Sequence, residues 1–150
     1  MEQRLDEEAE KEFERACLDL EREHSLAALS HLEKALRLHD NPVWYSYMGY
    51  CVAKERGQFR KGVDLCLISI GKEPGNPDHY LNLGRVHLVS GNKEEALRIF
   101  REGMGKGGND ELLRKLAILG MRKPPVFLSL PRGNPLNKYL GLLLRRLGLR

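Results

Sequence analysis

The sequence predicts an all-α protein in which antiparallel helix pairs stack into a solenoid, and three observations lead to this fold class. Residues recur at a fixed interval, since Tyr45 and Gly49 return 35 residues later as Tyr80 and Gly84. Apolar residues follow helical rather than alternating spacing. Small residues occupy fixed places in the repeated unit. A period of this size is typical of helical repeat proteins.

The first predicted helix pair, residues 9–41, is the most degenerate of three. Its first helix is marked by an apolar stripe at helical spacing, formed by Phe13, Ala16, Cys17 and Leu20. Its second helix has small and apolar residues where the third pair also has them: Ala28, Leu32 and Ala35 match Ala96, Phe100 and Gly103. Terminal repeats are expected to be atypical because their outer faces meet water.

The next two pairs, residues 42–76 and 77–108, carry the clearest repeat. Both begin with Asn-Pro, and in both an aromatic residue precedes a glycine by four positions, as in Tyr45 and Gly49. Past the following turn the interval shortens to 34 residues, so that Gly57 aligns with Gly91. We expect the glycine in each first helix to let the second helix approach closely.

This pattern resembles the tetratricopeptide repeat, whose first helix carries an aromatic residue and Leu-Gly and whose second helix carries small and aromatic residues. The second-helix places are held by Gly62, Cys66, Ser69 and Pro74 in one repeat and by Ala96, Phe100 and Gly103 in the next. The resemblance implies a right-handed superhelix with a concave groove. It also implies a non-catalytic protein–protein interaction module, an adapter or assembly factor that holds a segment of a partner in that groove.

Helical spacing, together with the resemblance, indicates which side chains line the groove. The predicted set is Ser46, Tyr47, Tyr50, Lys54, Leu81, Asn82, Arg85 and Val89. The resemblance implies that Asn82 and Arg85 hold backbone or carboxylate groups of the partner. Tyr47 and Tyr50 have an alternative role, packing between helices. The first repeat presents Glu14, Leu18 and Glu21 instead of the cations found in relatives that clamp acidic tails, which argues against such a partner.

The C-terminal part differs from the repeats. We predict a capping helix over residues 110–122, which completes a repeat domain of residues 1–122. Residues 123–150 form a basic, Pro-rich arm and an amphipathic helix starting at Asn134-Pro135. The candidate tail contacts are Leu136, Tyr139, Leu140, Leu143, Arg145 and Arg146. The tail has three possible destinations: its own solenoid, a second copy or partner, or an anionic membrane surface.

Charge is distributed unevenly along the chain. Residues 1–40 carry 12 acidic and six basic side chains (net −6), residues 41–120 carry nine and 12 (net +3), and residues 121–150 carry none and seven (net +7). Such a polar molecule can self-associate or dock its basic end on an acidic surface. We do not expect nucleic acid as a partner, because the tail cations are not interleaved with aromatic residues.

The sequence offers no motif for catalysis, a metal or a cofactor, so we expect none of these. Cys17, Cys51 and Cys66 are 34 and 15 residues apart, which matches no metal-ligand spacing, and they are predicted to be buried apolar residues. No secretory signal or membrane-spanning segment is recognisable, so we expect a cytoplasmic protein. The alternatives to an adapter are a small export or secretion chaperone and a peripheral binder of anionic membranes.

Overall fold

The computed structural model describes residues 1–120 and 135–148, and the chain divides into two units, Met1–Gly120 and Met121–Arg150. The first unit consists of helices joined by short turns. Its elements are α1 (Glu2–Glu21), α2 (Ser25–Leu38), a 3-10 turn (Pro42–Trp44), α3 (Tyr45–Arg56), α4 (Phe59–Lys72), α5 (Pro77–Val89), α6 (Lys93–Gly105) and α7 (Asp110–Gly120). In the second unit the described residues form α8 (Pro135–Arg146).

Neighbouring helices pack as pairs, and the pairs stack on one another. The most extensive contacts join α1 with α2, α3 with α4, and α5 with α6. The pairs meet through α2 with α3, α3 with α5, and α4 with α5, and α7 closes the row against α6. This arrangement confirms the predicted all-α, helix-pair solenoid.

The helix bounds differ from the predicted ones at the N-terminus. Helix α1 begins at Glu2, well before residue 9, because the leading run of Glu, Gln, Arg and Leu has high helix propensity. Helix α7 begins at Asp110 as predicted, whereas its predicted end at residue 122 lies outside the described residues. The Pro-rich arm, residues 123–134, also lies outside them. Helix α8 begins at Pro135, the predicted first helical position.

The repeated Asn-Pro dipeptide starts the first helix of each of the two clear repeats. The Asn41 side chain accepts a hydrogen bond from the Val43 amide at 3.1 Å, and Asn76 accepts one from the Asp78 amide at 3.0 Å. The proline follows at the first helical position, where its missing N–H is not needed. Both repeats therefore begin with the same cap, although Pro42 opens the 3-10 turn that leads into α3, whereas Pro77 opens α5 directly.

Close packing within each pair depends on small residues. A Cβ atom on Gly49 would lie 2.6 Å from the Gly62 carbonyl oxygen and 3.0 Å from Cys66 Sγ. Cys51 and Cys66 are fully buried, and Cys17 is half-buried. The prediction that Cys51 and Cys66 serve as small buried apolar residues is thus confirmed by their burial.

Candidate functional site

A groove of ≈ 750 Å³ runs along the first helix of every pair and continues onto α7. Its lining residues come from α1, the turn after it, α3, α5 and the start of α7. They are Cys17, Leu20, Glu21, Glu23, Tyr47, Asp78, Leu81, Asn82, Arg85, Asn109, Asp110, Glu111 and Arg114. A groove of this volume can accommodate several side chains of an extended or helical peptide.

Four of the eight predicted groove residues line this groove: Tyr47, Leu81, Asn82 and Arg85. Lys54 instead borders a shallower surface depression between α2 and α3, together with His24 and Glu55. Val89, at the end of α5, is partly exposed but does not line the groove.

Ser46 is fully buried and has no surface to offer a partner. Its backbone amide donates to Ser69 Oγ at 2.8 Å, and its own Oγ lies 2.8 Å from His79 Nδ1. His79 Nε2 lies 3.0 Å from a Glu73 carboxylate oxygen, which completes a serine–histidine–carboxylate chain. Because the Ser46 hydroxyl is closed to solvent and also accepts a bond from Asn82, we interpret the chain as a structural network joining α3 to α5.

The two tyrosines have different positions. Tyr50 packs against two apolar clusters of the core, as the alternative role predicted, and the Arg85 guanidinium carbon lies 5.2 Å from its ring centroid. Tyr47 combines both roles. Its ring packs edge-on against Phe13, with centroids 5.0 Å apart, and its hydroxyl donates to Asp78 at 3.3 Å in the groove.

Asp78 connects three of the helices that form the groove. One carboxylate oxygen accepts the Tyr47 hydroxyl from α3, and the other accepts Asn109 Nδ2 at 2.7 Å from the start of α7. Asn109 Oδ1 in turn accepts the Leu112 amide at 2.8 Å and caps α7. Hydrogen bonds across repeats therefore hold the groove floor together.

Asn82 provides an acceptor on this floor. Its Nδ2 donates to Ser46 Oγ at 3.1 Å, which fixes the amide plane, and the side chain is almost fully buried. Its Oδ1 accepts no hydrogen bond from the residues that the structure describes, although the side chain borders the groove. A ligand donor can therefore satisfy it.

The groove carries more negative than positive charge. Its ionisable lining residues are five carboxylates (Glu21, Glu23, Asp78, Asp110 and Glu111) and two guanidinium groups (Arg85 and Arg114), a net of 2 − 5 = −3. Both arginines are directed at Glu111, with N···O distances of 3.3 Å from Arg85 and 3.6 Å from Arg114. Within residues 1–120 and 135–148, the other four carboxylates form no salt bridge.

Two titratable groups of the floor show the effect of this charge. Burial, with contributions from Asp78, Glu21 and Glu14, raises the pKa of the Cys17 thiol to about 11. Burial and the neighbouring Asp78 likewise raise the pKa of Tyr47 well above its ordinary value. Both groups are therefore neutral at physiological pH.

Sequence reasoning placed Glu21 on the inner side of the first repeat but missed the other residues at the two ends of the groove. Glu23 lies in the turn after α1, where the repeat is degenerate, and residues 110–114 were assigned to a capping helix. A signal was present, because Asn109 follows Asn76 by 109 − 76 = 33 residues, close to the period. Helix α7 thus occupies the place of a first helix in a further repeat.

The structure describes the side chains of only some of the candidate tail contacts. Leu136 and Leu140 belong to α8, but their side chains are not described. Tyr139, Leu143, Arg145 and Arg146 are exposed. Their role in binding stays a prediction.

The described residues also bear on metal binding and on membrane insertion. Among the described residues, no group of three or more histidine, cysteine or acidic side chains is arranged to hold a metal ion. In the same part of the chain, no helix has the length and apolar character needed to cross a bilayer.

Comparison with known proteins identifies the architecture. No protein-family model matches the sequence, and no curated protein matches it either. Among solved structures, the Sgt2 TPR domain from Aspergillus fumigatus is similar with a TM-score of 0.57 and 17% identity, over 87% of this chain and 93% of that one. The Arabidopsis OM64 TPR domain is similar with a TM-score of 0.56 and 18% identity, over 77% and 96%. The chain therefore has the tetratricopeptide-repeat fold.

Proposed function

We propose that this protein is an adapter or assembly factor that binds a segment of a partner protein in the groove formed by α1, α3, α5 and α7. The tetratricopeptide-repeat fold supports a protein–protein interaction module in general. The observation that carries the specific proposal is the groove itself, whose floor is fixed by hydrogen bonds while Asn82 Oδ1 is left for a ligand.

The lining suits a peptide because it combines apolar and polar surface. Leu20 and Leu81 contribute small apolar areas to the walls, against which a partner side chain can be desolvated. Asn82 and Asn109 provide amide groups that can hydrogen-bond an extended backbone. Apolar pockets with a few fixed polar groups are typical of peptide recognition.

Two other residues that the sequence proposed for the groove have structural roles around it. Arg85 contributes to the groove wall, but its guanidinium already pairs with Glu111 and stacks on Tyr50. Ser46 supports the groove from behind through its hydrogen bonds to Asn82 and His79. We propose a cytoplasmic location and no catalytic activity for such a module.

A random-peptide display library, selected on the full-length chain, tests the proposal. The expected result is that selected peptides protect Cys17 from alkylation by a maleimide, because the Cys17 side chain lines the groove. Cys51 and Cys66 provide internal controls, since both are fully buried and should react only in denaturant.

A matched pair of variants locates the binding site independently. Arg85→Gln removes a charge inside the groove, whereas Arg98→Gln removes one from the exposed face of α6, where Arg98 pairs with Glu95. We expect only Arg85→Gln to change the affinity of the selected peptides. If none of them protects Cys17 and both variants bind them equally, the groove is not the binding site.

A further inference from the structure

We propose that the partner segment held in this groove is cationic, a stretch of chain rich in lysine and arginine. This inference rests on the proposed function and specifies the chemistry of the ligand. Three features of the groove favour a cationic ligand: its net negative charge, the pairing of its arginines with Glu111, and the Asn82 acceptor at its floor.

Unpaired carboxylates are present at both ends of the groove. Glu21 and Glu23 line it at the end of α1, and Asp110 lines it at the start of α7, all three with exposed side chains. Asp78 lies on the floor, where it accepts hydrogen bonds from Tyr47 and Asn109. Four of the five groove carboxylates thus form no ion pair within the part of the chain that the structure describes, and a cationic ligand would compensate them.

The positive groups of the groove are already committed. Arg85 and Arg114 both pair with Glu111, and Arg85 is further held by the Tyr50 ring. An acidic ligand would compete with Glu111 for Arg85, the more buried of the two arginines, and would lie close to four other carboxylates. Repulsion of this kind excludes partners of the same sign.

The floor also favours a ligand that donates hydrogen bonds. The Asn82 side chain is held by its Nδ2 bond to Ser46, and its Oδ1 accepts no hydrogen bond from the described residues at the point where the side chain borders the groove. The Tyr47 hydroxyl, the nearest phenolic donor, is used by Asp78. Lysine and arginine side chains bring several donors each and no acceptor, which matches this surface.

The Cys17 thiol supports the same conclusion. Its pKa is raised first by burial and then by Asp78, Glu21 and Glu14, so the carboxylates act on the groove floor and not only on its rim. Negative potential in a concave site attracts cations and accelerates their association.

The composition of the peptides selected from the display library tests this inference. We expect peptides that protect Cys17 to be enriched in lysine and arginine relative to the unselected library. Their affinity should fall when the salt concentration is raised, because exposed charge pairs are screened. Removing two rim carboxylates in Glu21→Gln/Glu23→Gln should weaken binding roughly 3- to 30-fold, as expected for two exposed ion pairs.

Control variants separate groove charge from total charge. Glu10→Gln/Glu94→Gln makes the same change in net charge at exposed positions outside the groove and should leave the affinity unchanged. Arg85→Gln should strengthen binding of a cationic peptide, because it removes a positive charge from the groove and leaves Glu111 with its longer contacts to Arg114 and Lys115, whereas it would weaken binding of an acidic one.

The outcomes distinguish this inference from the proposed function. If the peptides that protect Cys17 are neutral or acidic, or if Arg85→Gln weakens their binding, the ligand is not cationic although the groove still binds peptides. If no selected peptide protects Cys17 and Arg85→Gln changes no affinity, the proposed function fails and this inference fails with it.

Discussion

The ring of Phe100 in α6 lies where a side chain on Gly84 in α5 would have to be placed. Phe100 is fully buried, so it cannot move aside into solvent. The preceding pair shows the same relationship, since a Cβ atom on Gly49 would lie 3.0 Å from Cys66 Sγ. The repeat aligns these residues, glycine with glycine and Phe100 with Cys66. In each pair, the glycine of the first helix therefore leaves the space that a side chain of the second helix fills.

Gly84→Ala tests this packing. Although alanine favours a helix, we expect the variant to lose about 1–3 kcal/mol of unfolding free energy, because overpacking a closed core forces side chains from their rotamers. The matched control is Gly71→Ala, in the last turn of α4, where an added Cβ would meet nothing within 4 Å. That change should stabilise the chain by about 0.5–1 kcal/mol. Urea denaturation followed by circular dichroism measures both.

Phe100→Leu provides the second arm of the Gly84 test. On its own it should destabilise the chain by leaving a cavity, but in the Gly84→Ala background it should cost less, since the smaller side chain admits the new methyl group. A double-mutant cycle with no coupling between the two positions would show that Phe100 is not the obstacle.

These glycines could be found from the sequence because each repeat constrains the same few positions. Periodicity in the sequence indicates the pairing of Gly84 with Phe100 and the caps at Asn41 and Asn76. These features form within single repeats. The groove is not local, because its lining depends on how each helix rotates against two neighbours. Helical spacing assigned Ser46 to the groove, whereas contact with α4 and α5 turns it into the interior. The charge of the groove comes largely from the ends of the solenoid, where the repeat pattern is weakest.

Glu12, a buried carboxylate between α1 and α2, makes stability dependent on pH. It accepts hydrogen bonds from Lys34 Nζ at 2.8 Å, from Arg15 at 2.8 Å and from His31 Nδ1 at 2.6 Å. The hydrogen bonds from Lys34 and His31, with the charges nearby, lower the pKa of Glu12 from 4.5 to about 2. A carboxyl group whose pKa is lower in the folded than in the unfolded chain stabilises the folded state at pH values above its unfolded pKa. This stabilisation is complete above about pH 4.5 and is lost as the pH falls towards 2.

Glu12→Gln should therefore cost about 1–3 kcal/mol at neutral pH, where it removes a charge from a buried network. The difference between the variant and the original chain should shrink as the pH is lowered from 4.5 to 2. Unfolding free energies from denaturant titrations across this range measure it. Glu10→Gln, at an exposed position of the same helix, should show no such trend, and a pH-independent difference at residue 12 would contradict this explanation.

Ser46→Ala should destabilise the chain by about 1–3 kcal/mol, because it leaves His79 Nδ1 and Asn82 Nδ2 without their common partner in the interior. Thermal unfolding measures the loss. Ser90→Ala is the control, since Ser90 is exposed and its hydroxyl bonds, within the described residues, only the His87 carbonyl, so the change should stay within about 0.5 kcal/mol. Equal melting temperatures for the two variants would show that the hydrogen-bond network around Ser46 does not stabilise the fold.

Cys17 should be the first of the three cysteines to react with a thiol reagent, and it should react slowly at neutral pH. It is half-buried in the groove floor, while Cys51 and Cys66 are fully buried. Its pKa of about 11 leaves little thiolate, so the alkylation rate should rise roughly tenfold for each pH unit below that value.

Glu21→Gln should accelerate the alkylation of Cys17, since the Glu21 carboxylate contributes to its raised pKa, whereas Glu10→Gln should not. Mass spectrometry of iodoacetamide-treated protein identifies the labelled residue and gives the rate. Labelling of Cys51 or Cys66 at a comparable rate in the native chain would mean that the repeats open on the same timescale. The groove floor would then lack the fixed geometry on which the proposed binding of a cationic segment depends.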